Sequence, residues 1–303
     1  AEKQIDFVGF AVIKASYDEL SKKFAETPEG KGFSIKGSFG ASGAQSRAVI
    51  AGQPADFVVL SVPPDVTKIA EAGLIDPSWD QGPNKGIVSN SVVVLAVRPG
   101  NPKGIKGWDD IVQPGIGIVT ADPGTSGAAK WNLLGAYAHG LGPNKDKAAA
   151  EEYLGKFVKN VVSWNDSGRT ATEAFTKGTG DVLISYENEA ILARQSEVPL
   201  DYVVPEDTFL IENPGAVTKA APPIAAEFLK YVLSNEGQDV LGHKGFRPVG
   251  DAPKSTGVEG TNDPANPFPD ATITTVADLG GWSEVNEYLF KEETGLVAKL
   301  RQG

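Results

Sequence analysis

Gly115-Ile-Gly-Ile-Val-Thr-Ala-Asp-Pro-Gly-Thr-Ser-Gly-Ala-Ala-Lys-Trp-Asn132 decides the fold class of this chain. Gly115 to Thr120 reads as a buried strand, because apolar residues run almost unbroken between turn signals. From Gly127 to His139 the apolar residues crowd together as in a buried helix, with Ala128, Ala129, Trp131, Leu133, Leu134, Ala136 and Tyr137. Between them Pro123-Gly124 makes a turn, and Thr125 or Ser126 is placed to cap the helix. A helix start carries unpaired N–H groups and the positive end of the dipole. Gly127 and Ala128 leave those groups open to a ligand, which makes a small anion site, but a single loop of this kind is more often an ordinary capped helix.

The same strand, small-residue loop and helix recur along the chain. Residues 5–13 read as a strand and residues 15–25 as a helix, with Tyr17, Leu20 and Phe24 at helical spacing. The strand at 33–39 runs into Gly40-Ala-Ser-Gly-Ala, with Ser42 as candidate cap. A short strand at 56–61 leads to Pro63-Pro64, which opens a helix through residue 72. Residues 88–98 form a long β-branched strand, and Trp108-Asp-Asp-Ile a short helix. Residues 161–164 reach Ser167-Gly168 and another helix. Residues 181–186 end at Tyr186 and run directly into Glu187-Asn-Glu. Short strands are expected at 202–204 and 209–211, and helices at 223–233 and 234–241. A surface loop is expected at 250–270, and a helical tail at 282–300 with Trp282, Val285, Tyr288 and Leu289 on one face.

This alternation predicts α/β architecture with largely parallel sheets. Ligands in such folds bind beyond the carboxyl ends of the strands, where helices begin. Four junctions carry residues suited to that use: Ser42-Gly43, Ser126-Gly127, Ser167-Gly168 and Tyr186-Glu187. Their separation along the chain suggests one pocket assembled from distant segments.

Composition narrows the chemistry. The 303 residues suit one large or two ordinary domains, and the 41% apolar share supports a real core. No apolar run reaches the roughly 18 residues of a membrane span. The net charge of −11 argues against nucleic acid. It says little against a small anion, because backbone dipoles in a local pocket outweigh a diffuse surface charge. With no Cys there are no disulfides, thiolate metal sites or Cys nucleophiles. The start at Ala1-Glu-Lys-Gln, in a chain without Met, reads as a mature form after loss of a leader. Neither His139 nor His243 stands in metal-ligand spacing, and both read as structural or exposed. No metal or cofactor is expected.

Catalytic motifs are incomplete. Gly40-Ala-Ser-Gly-Ala and Gly124-Thr-Ser-Gly-Ala lack the last Gly of a hydrolase elbow, and no His follows at a suitable place. Neither loop carries the Gly-Lys-Ser/Thr of a nucleotide-binding loop. Gly115-Ile-Gly lacks a third Gly. Asn165-Asp-Ser167 matches a glycosylation acceptor only as a short pattern.

With these segments in view, the sequence resembles the periplasmic sulfate-binding proteins of bacterial ABC importers over nearly its whole length. The resemblance rests on Gly40-Ala-Ser-Gly-Ala-Gln-Ser-Arg-Ala-Val, on Arg98-Pro-Gly-Asn-Pro-Lys-Gly-Ile-Lys-Gly-Trp-Asp-Asp-Ile and on Pro123-Gly-Thr-Ser-Gly-Ala-Ala-Lys-Trp-Asn. Gly180-Asp-Val-Leu-Ile-Ser-Tyr-Glu-Asn-Glu-Ala, Phe246-Arg-Pro and Gly280-Gly-Trp add to it. It implies a two-lobed periplasmic-binding-protein fold of type II. Each lobe is then a mostly parallel sheet flanked by helices, with a dehydrated anion in the cleft. Lobe 1 is expected at 1–88 plus 189–249 and lobe 2 at 89–188, with 250–303 packing across both.

Carried over by residue, the resemblance implies an anion-binding set of Ala11, Ser42, Ser126, Gly127, Ala128, Gly168 and Tyr186. Four positions depart from the family pattern. Ala11 stands in Gly9-Phe10-Ala11-Val12 where the family has Ser-Tyr-Asp-Pro, and Ala128 replaces a Gly. Asp166-Ser-Gly-Arg169 is one residue shorter than its counterpart, and Tyr186 replaces a Trp that donates its indole N–H. The implied protein is an exported, monomeric, non-catalytic receptor, in the periplasm or at the outer face of the cytoplasmic membrane. It binds a small inorganic anion and delivers it to a membrane ABC permease. Sulfate is the first choice, because it has no proton at neutral pH and needs only donors. Phosphate, thiosulfate and molybdate stay open, with Asp166 and Glu187 as possible acceptors for a protonated anion. The competing class is an enzyme acting on a small sulfated or phosphorylated substrate.

Overall fold

The computed structural model describes residues 3–303; Ala1 and Glu2, read above as the start of a processed chain, lie outside the described residues. Two units divide the chain. Unit 1 holds the residues up to Ser91, Thr125–Gly127 and Glu212–Phe268; unit 2 holds Val92–Gly124, Ala128–Ile211 and Pro269–Gly303.

In unit 1, strand β1 (Lys3–Phe10) continues through a 3-10 turn (Ala11–Ile13) into helix α1 (Lys14–Ala25). Strand β2 (Phe33–Gly40) leads to α2 (Ser42–Ile50), and β3 (Phe57–Val59) to α3 (Pro63–Glu71). β1 pairs in parallel with β2 from Lys3↔Phe33 to Phe10↔Gly40, and with β3 from Phe7↔Phe57 to Gly9↔Val59. Alternation along β1 sends Phe7 and Val8 to opposite faces. Phe7 joins Tyr17 and Phe57, with ring centroids 4.7 and 5.6 Å away, and Phe228 packs against Phe57 at 5.7 Å. On the other face Val8 packs with Val49, Val58, Val66 and Ile69. Helices therefore cover both faces of β1 and β3, which is why these two strands read as apolar runs, whereas β2 alternates and is mostly only partly buried.

The Tyr17 hydroxyl lies wholly buried in the aromatic cluster without a hydrogen-bond partner. A buried unpaired hydroxyl costs about 1–3 kcal/mol. Tyr17→Phe is expected to raise stability by roughly 1 kcal/mol. Urea unfolding checks it, and a destabilised Phe variant would contradict the reading.

Two long strands pass from one unit to the other: β4 (Ile87–Val97) and a return strand (Asp207–Val217). A strand is expected from the sequence only at 209–211, and Asn213-Pro-Gly beyond it consists of turn-forming residue types. The strand nevertheless runs on. Pro214 has no N–H to give, but its carbonyl accepts from Leu60 N at 3.1 Å, and Gly215 N donates to Gly86 O at 2.9 Å. A Cβ on Gly215 would meet Val88 Cγ1 at 2.8 Å, so a side chain there would press on β4.

Unit 2 contains β5 (Ile118–Ala121), α4 (Gly127–Leu141, from Ala128 on), α5 (Lys147–Asn160), β6 (Val161–Asn165) and α6 (Gly168–Thr176). β7 (Val182–Tyr186), α7 (Glu187–Gln195) and β8 (Asp201–Val203) follow. With the return strand numbered β9, the sheet of this unit runs β4-β7-β5-β6. β5 is parallel to β6 and β7, whereas β4 is antiparallel to β7. Trp108 and Trp131 are buried in this core, with Trp131 edge-on to Trp282 at 5.1 Å. The mixed α/β class and parallel central strands follow the sequence reading.

Helices α8 (Pro223–Leu233) and α9 (Asn235–His243) belong to unit 1. The tail departs from the single expected helix. It forms α10 (Trp282–Val285), a π-turn (Asn286–Phe290) and α11 (Leu296–Gln302). Gly295 interrupts the last part: a Cβ there would lie 2.7 Å from the Leu289 and Lys291 carbonyl oxygens.

Candidate functional site

Because β1, β2 and β3 are parallel, the helices that follow them begin at one edge of the unit 1 sheet. Ala11 follows Phe10, which pairs with Gly40; Ala41 and Ser42 are next beyond Gly40, and Leu60 and Ser61 beyond Val59. Gln45 fixes this edge by donating to Gly9 O at 3.0 Å and Ser38 O at 2.8 Å. Ala11 is partly exposed and opens the 3-10 turn, so its N–H stands at a helix start.

Ser42 corrects its expected role. The cap position is Ala41, without a side-chain cap bond, and Ser42 is the first helical residue. Its buried hydroxyl turns away from its own helix: Oγ donates to Asp65 Oδ2 at 2.7 Å and accepts from Ser61 N at 3.0 Å. Ser61 is held in turn, since its carbonyl accepts from Asn213 Nδ2 at 3.0 Å and Asn213 Oδ1 accepts from Ser89 Oγ at 3.2 Å.

The segment Thr125–Gly127 joins this edge. A Cβ on Gly127 would lie 2.6 Å from Ser61 Cβ and 2.8 Å from its Oγ. A Cβ on Gly43 would lie 3.3 Å from the Thr125 carbonyl oxygen. The glycine at 127 is thus required by backbone packing on Ser61, a reason the sequence reading did not contain. Ser126 is buried at 4% exposure. Unit 1 therefore brings Ala11, Ser42, Ser126 and Gly127 to one edge.

Unit 2 repeats the arrangement. The register Ala121↔Asn165 and Val119↔Leu183 puts the ends of β5, β6 and β7 level. Asp122 N donates to Asn165 O at 2.6 Å. Asn132 of α4 donates to Thr120 Oγ1 at 2.9 Å and Ile184 O at 3.3 Å, tying the helix to β5 and β7. Ser167 caps α6: its Oγ accepts from Thr170 N at 3.1 Å, and its own N–H donates to Thr170 Oγ1 at 3.0 Å. Gly168 is the first residue of α6. Tyr186 ends β7, occupies the cap position of α7 and is 2% exposed. Ala128, Gly168 and Tyr186 therefore share one edge of unit 2.

One ion pair at this edge is neutralised locally. Arg169 grips Glu189 with Nε–Oε1 at 2.9 Å and Nη2–Oε2 at 3.2 Å, and Thr172 Oγ1 donates to Oε1 at 3.3 Å. Glu187 is fully buried, whereas Asp166 is exposed. What each edge offers is a set of N–H groups at helix starts and neutral hydroxyls, a chemistry suited to holding an anion without a paired cation.

Neither imidazole lies at these edges. His139 is near the carboxyl end of α4, about 16 Å along the helix from Ala128. It bridges Asp207 (Nδ1–Oδ2, 2.7 Å) and Asp109 (Nε2–Oδ1, 2.8 Å). Burial pulls its pKa down, but the bonds to Asp207 and Asp109 outweigh that and raise it. A raised folded pKa adds stability that is fully present below the unfolded value and lost as pH rises through the folded one. His139→Gln should therefore lose more stability at pH 5.5 than at pH 9. Thermal melts at both values check it; equal losses would contradict the charged bridge. His243 sits at the end of α9, half exposed. Among the described residues no group of three His, Cys, Asp or Glu is arranged to hold a metal, and no helix is long and apolar enough to cross a membrane.

A family model described as bacterial extracellular solute-binding protein matches residues 7–247. The sulfate-binding protein of Synechococcus elongatus is 39% identical, over 99% of this chain and 87% of its own length. The thiosulfate-binding protein of Pseudomonas aeruginosa is 33% identical, over 80% and 77% respectively. The solved structure of the sulfate-binding protein SubI from Mycobacterium tuberculosis H37Rv superposes with a TM-score of 0.89 at 39% identity, covering 96% of this chain and 100% of that one. Matched by its family model, by these relatives and by this fold, the chain belongs to the bacterial extracellular solute-binding proteins.

Proposed function

We propose that this chain is an extracytoplasmic receptor that binds one tetrahedral oxyanion, sulfate before others, and delivers it to a membrane ABC permease. The observation that carries the reading is the repeated edge. In each unit three parallel strands end level, each followed by a helix start, and the donors presented there are neutral. Relatives named for sulfate support the choice of anion. The proposed ligands are the backbone N–H groups of Ala11, Ser42, Gly127, Ala128 and Gly168, with side-chain donors from Ser126 and Tyr186. Together they would take the place of the anion's water shell. Thiosulfate is a second reading, favoured by the relatives named for it, since it keeps the charge and shape with one oxygen replaced by sulfur.

Native mass spectrometry tests the stoichiometry. One anion per chain is expected, removed by exhaustive dialysis and restored by sulfate. A chain that retains no anion from sulfate-containing buffer would contradict the proposal.

A further inference from the structure

Arg301, in the last turn of α11, reaches the chain that leads into α4. Its Nη1 donates to Asp122 Oδ1 and its Nη2 to Asp122 Oδ2, both at 3.3 Å. The same guanidinium lies over the Trp164 ring, 4.2 Å from its centroid. Asp122 directly follows β5, and Trp164 belongs to β6. One planar cation therefore holds the ends of both strands, by its fork on one and by its face on the other. All three residues lie in unit 2.

What it holds is the approach to two of the proposed anion donors. Asp122 shapes the turn before α4: its Oδ1 accepts from Gly124 N at 2.8 Å, and its own N–H donates to Asn165 O at 2.6 Å. From Asp122 the chain runs on through Pro123 and Gly124 toward Ala128, and from Asn165 through Asp166 and Ser167 to Gly168. The two side chains are only 29% and 33% exposed, so water screens the pair in part. A lone exposed ion pair contributes little, but a bidentate one backed by an aromatic face contributes more. The helix that presents the cation is itself anchored. Leu296 and Val297 are buried, and Leu300 Cδ2 packs on α5, 3.8 Å from where a Cβ on Gly155 would lie.

We propose that Arg301 is a positioning residue for the anion site of unit 2. Its role requires no contact with the ligand. By fixing Asp122 beside Trp164 it keeps the Ala128 and Gly168 N–H groups in the arrangement the anion needs, so less ordering is left to the moment of binding. This rests on the reading of the edge as an anion site.

Calorimetric titration of the anion-free, intact protein with sulfate at pH 7 tests it. Arg301→Gln is expected to bind at least about threefold more weakly than the parent. Asp122→Asn is expected to lose at least about threefold as well, although it removes a negative charge. The asparagine Oδ1 can still accept from Gly124 N, so the turn is kept and the fork is lost. A bare effect of charge on the site has the opposite sign, since loss of a carboxylate would tighten anion binding. The double variant should bind no more than about twofold more weakly than the weaker single one, because both changes break the same link. A pair that serves stability alone would lower the melting temperature and leave the affinity of the folded protein unchanged. A loss under about threefold in either single variant, tighter binding in Asp122→Asn, or a double variant that falls beyond about twofold overturns the proposal. If one single variant does not fold, the other decides. If the parent binds sulfate and these losses are absent, only the role of Arg301 falls; if the parent binds no sulfate, the anion-site reading falls and the proposal with it.

Discussion

Gly127→Asp is expected to abolish sulfate binding. Two effects act together. Any Cβ at this position meets Ser61 Cβ at 2.6 Å and Oγ at 2.8 Å, so the start of α4 must move off the edge of unit 1. The carboxylate then occupies the positive end of the helix that the anion would use. Gly127→Ala separates the two. Its methyl group overpacks the contact at a cost of about 1–3 kcal/mol in stability, but adds no competing charge. Ser61→Gly in the Gly127→Ala background should recover part of that loss. Thermal melts and equilibrium dialysis against labelled sulfate read both effects. A folded Gly127→Asp protein that binds normally would reduce this loop to an ordinary helix start.

Tyr186→Phe is expected to weaken sulfate binding by about 1–3 kcal/mol, roughly fivefold to more than a hundredfold. Tyr186 is buried at the end of β7, where the strand meets α7. Phe keeps the ring and removes the hydroxyl, leaving an anion oxygen unpaired in a site without water. Tyr186→Trp should retain more affinity than Phe, because the indole N–H donates. It should also sharpen the preference for sulfate over hydrogen phosphate, since an indole N–H cannot accept a proton-bearing oxygen's hydrogen. Titrating parent, Phe and Trp proteins with both anions checks this. Unchanged sulfate affinity in the Phe variant would remove Tyr186 from the ligand set.

The fold was legible where the local signals agreed. Apolar runs bounded by turn residues marked β1, β5 and β7, and alternation marked β2, together with the helices that follow them. In these units a strand end and a helix start are the same few residues, so reading the junctions located both edges. Reading failed where a long-range contact overrides a local signal. Asn213-Pro214-Gly215 looks like a turn, yet Leu60 and Gly86 hold it extended. Ser42 looks like a cap, but its Oγ accepts from Ser61 N instead and donates to Asp65, twenty-three positions away. No pattern around either residue announces that pair. The packing of Gly127 on Ser61 crosses sixty-six positions of sequence, so no local pattern could show it. The tail was read as one helix from its apolar face, and the tight packing at Gly295 is invisible to that periodicity.

Calorimetric titration of anion-free protein with sulfate and with phosphate at pH 7 tests the central claim most directly. The account predicts tight 1:1 binding of sulfate, with phosphate at least about tenfold weaker, a difference of roughly 1.4 kcal/mol. Phosphate binding as tightly as sulfate, or no sulfate binding at all, would contradict it.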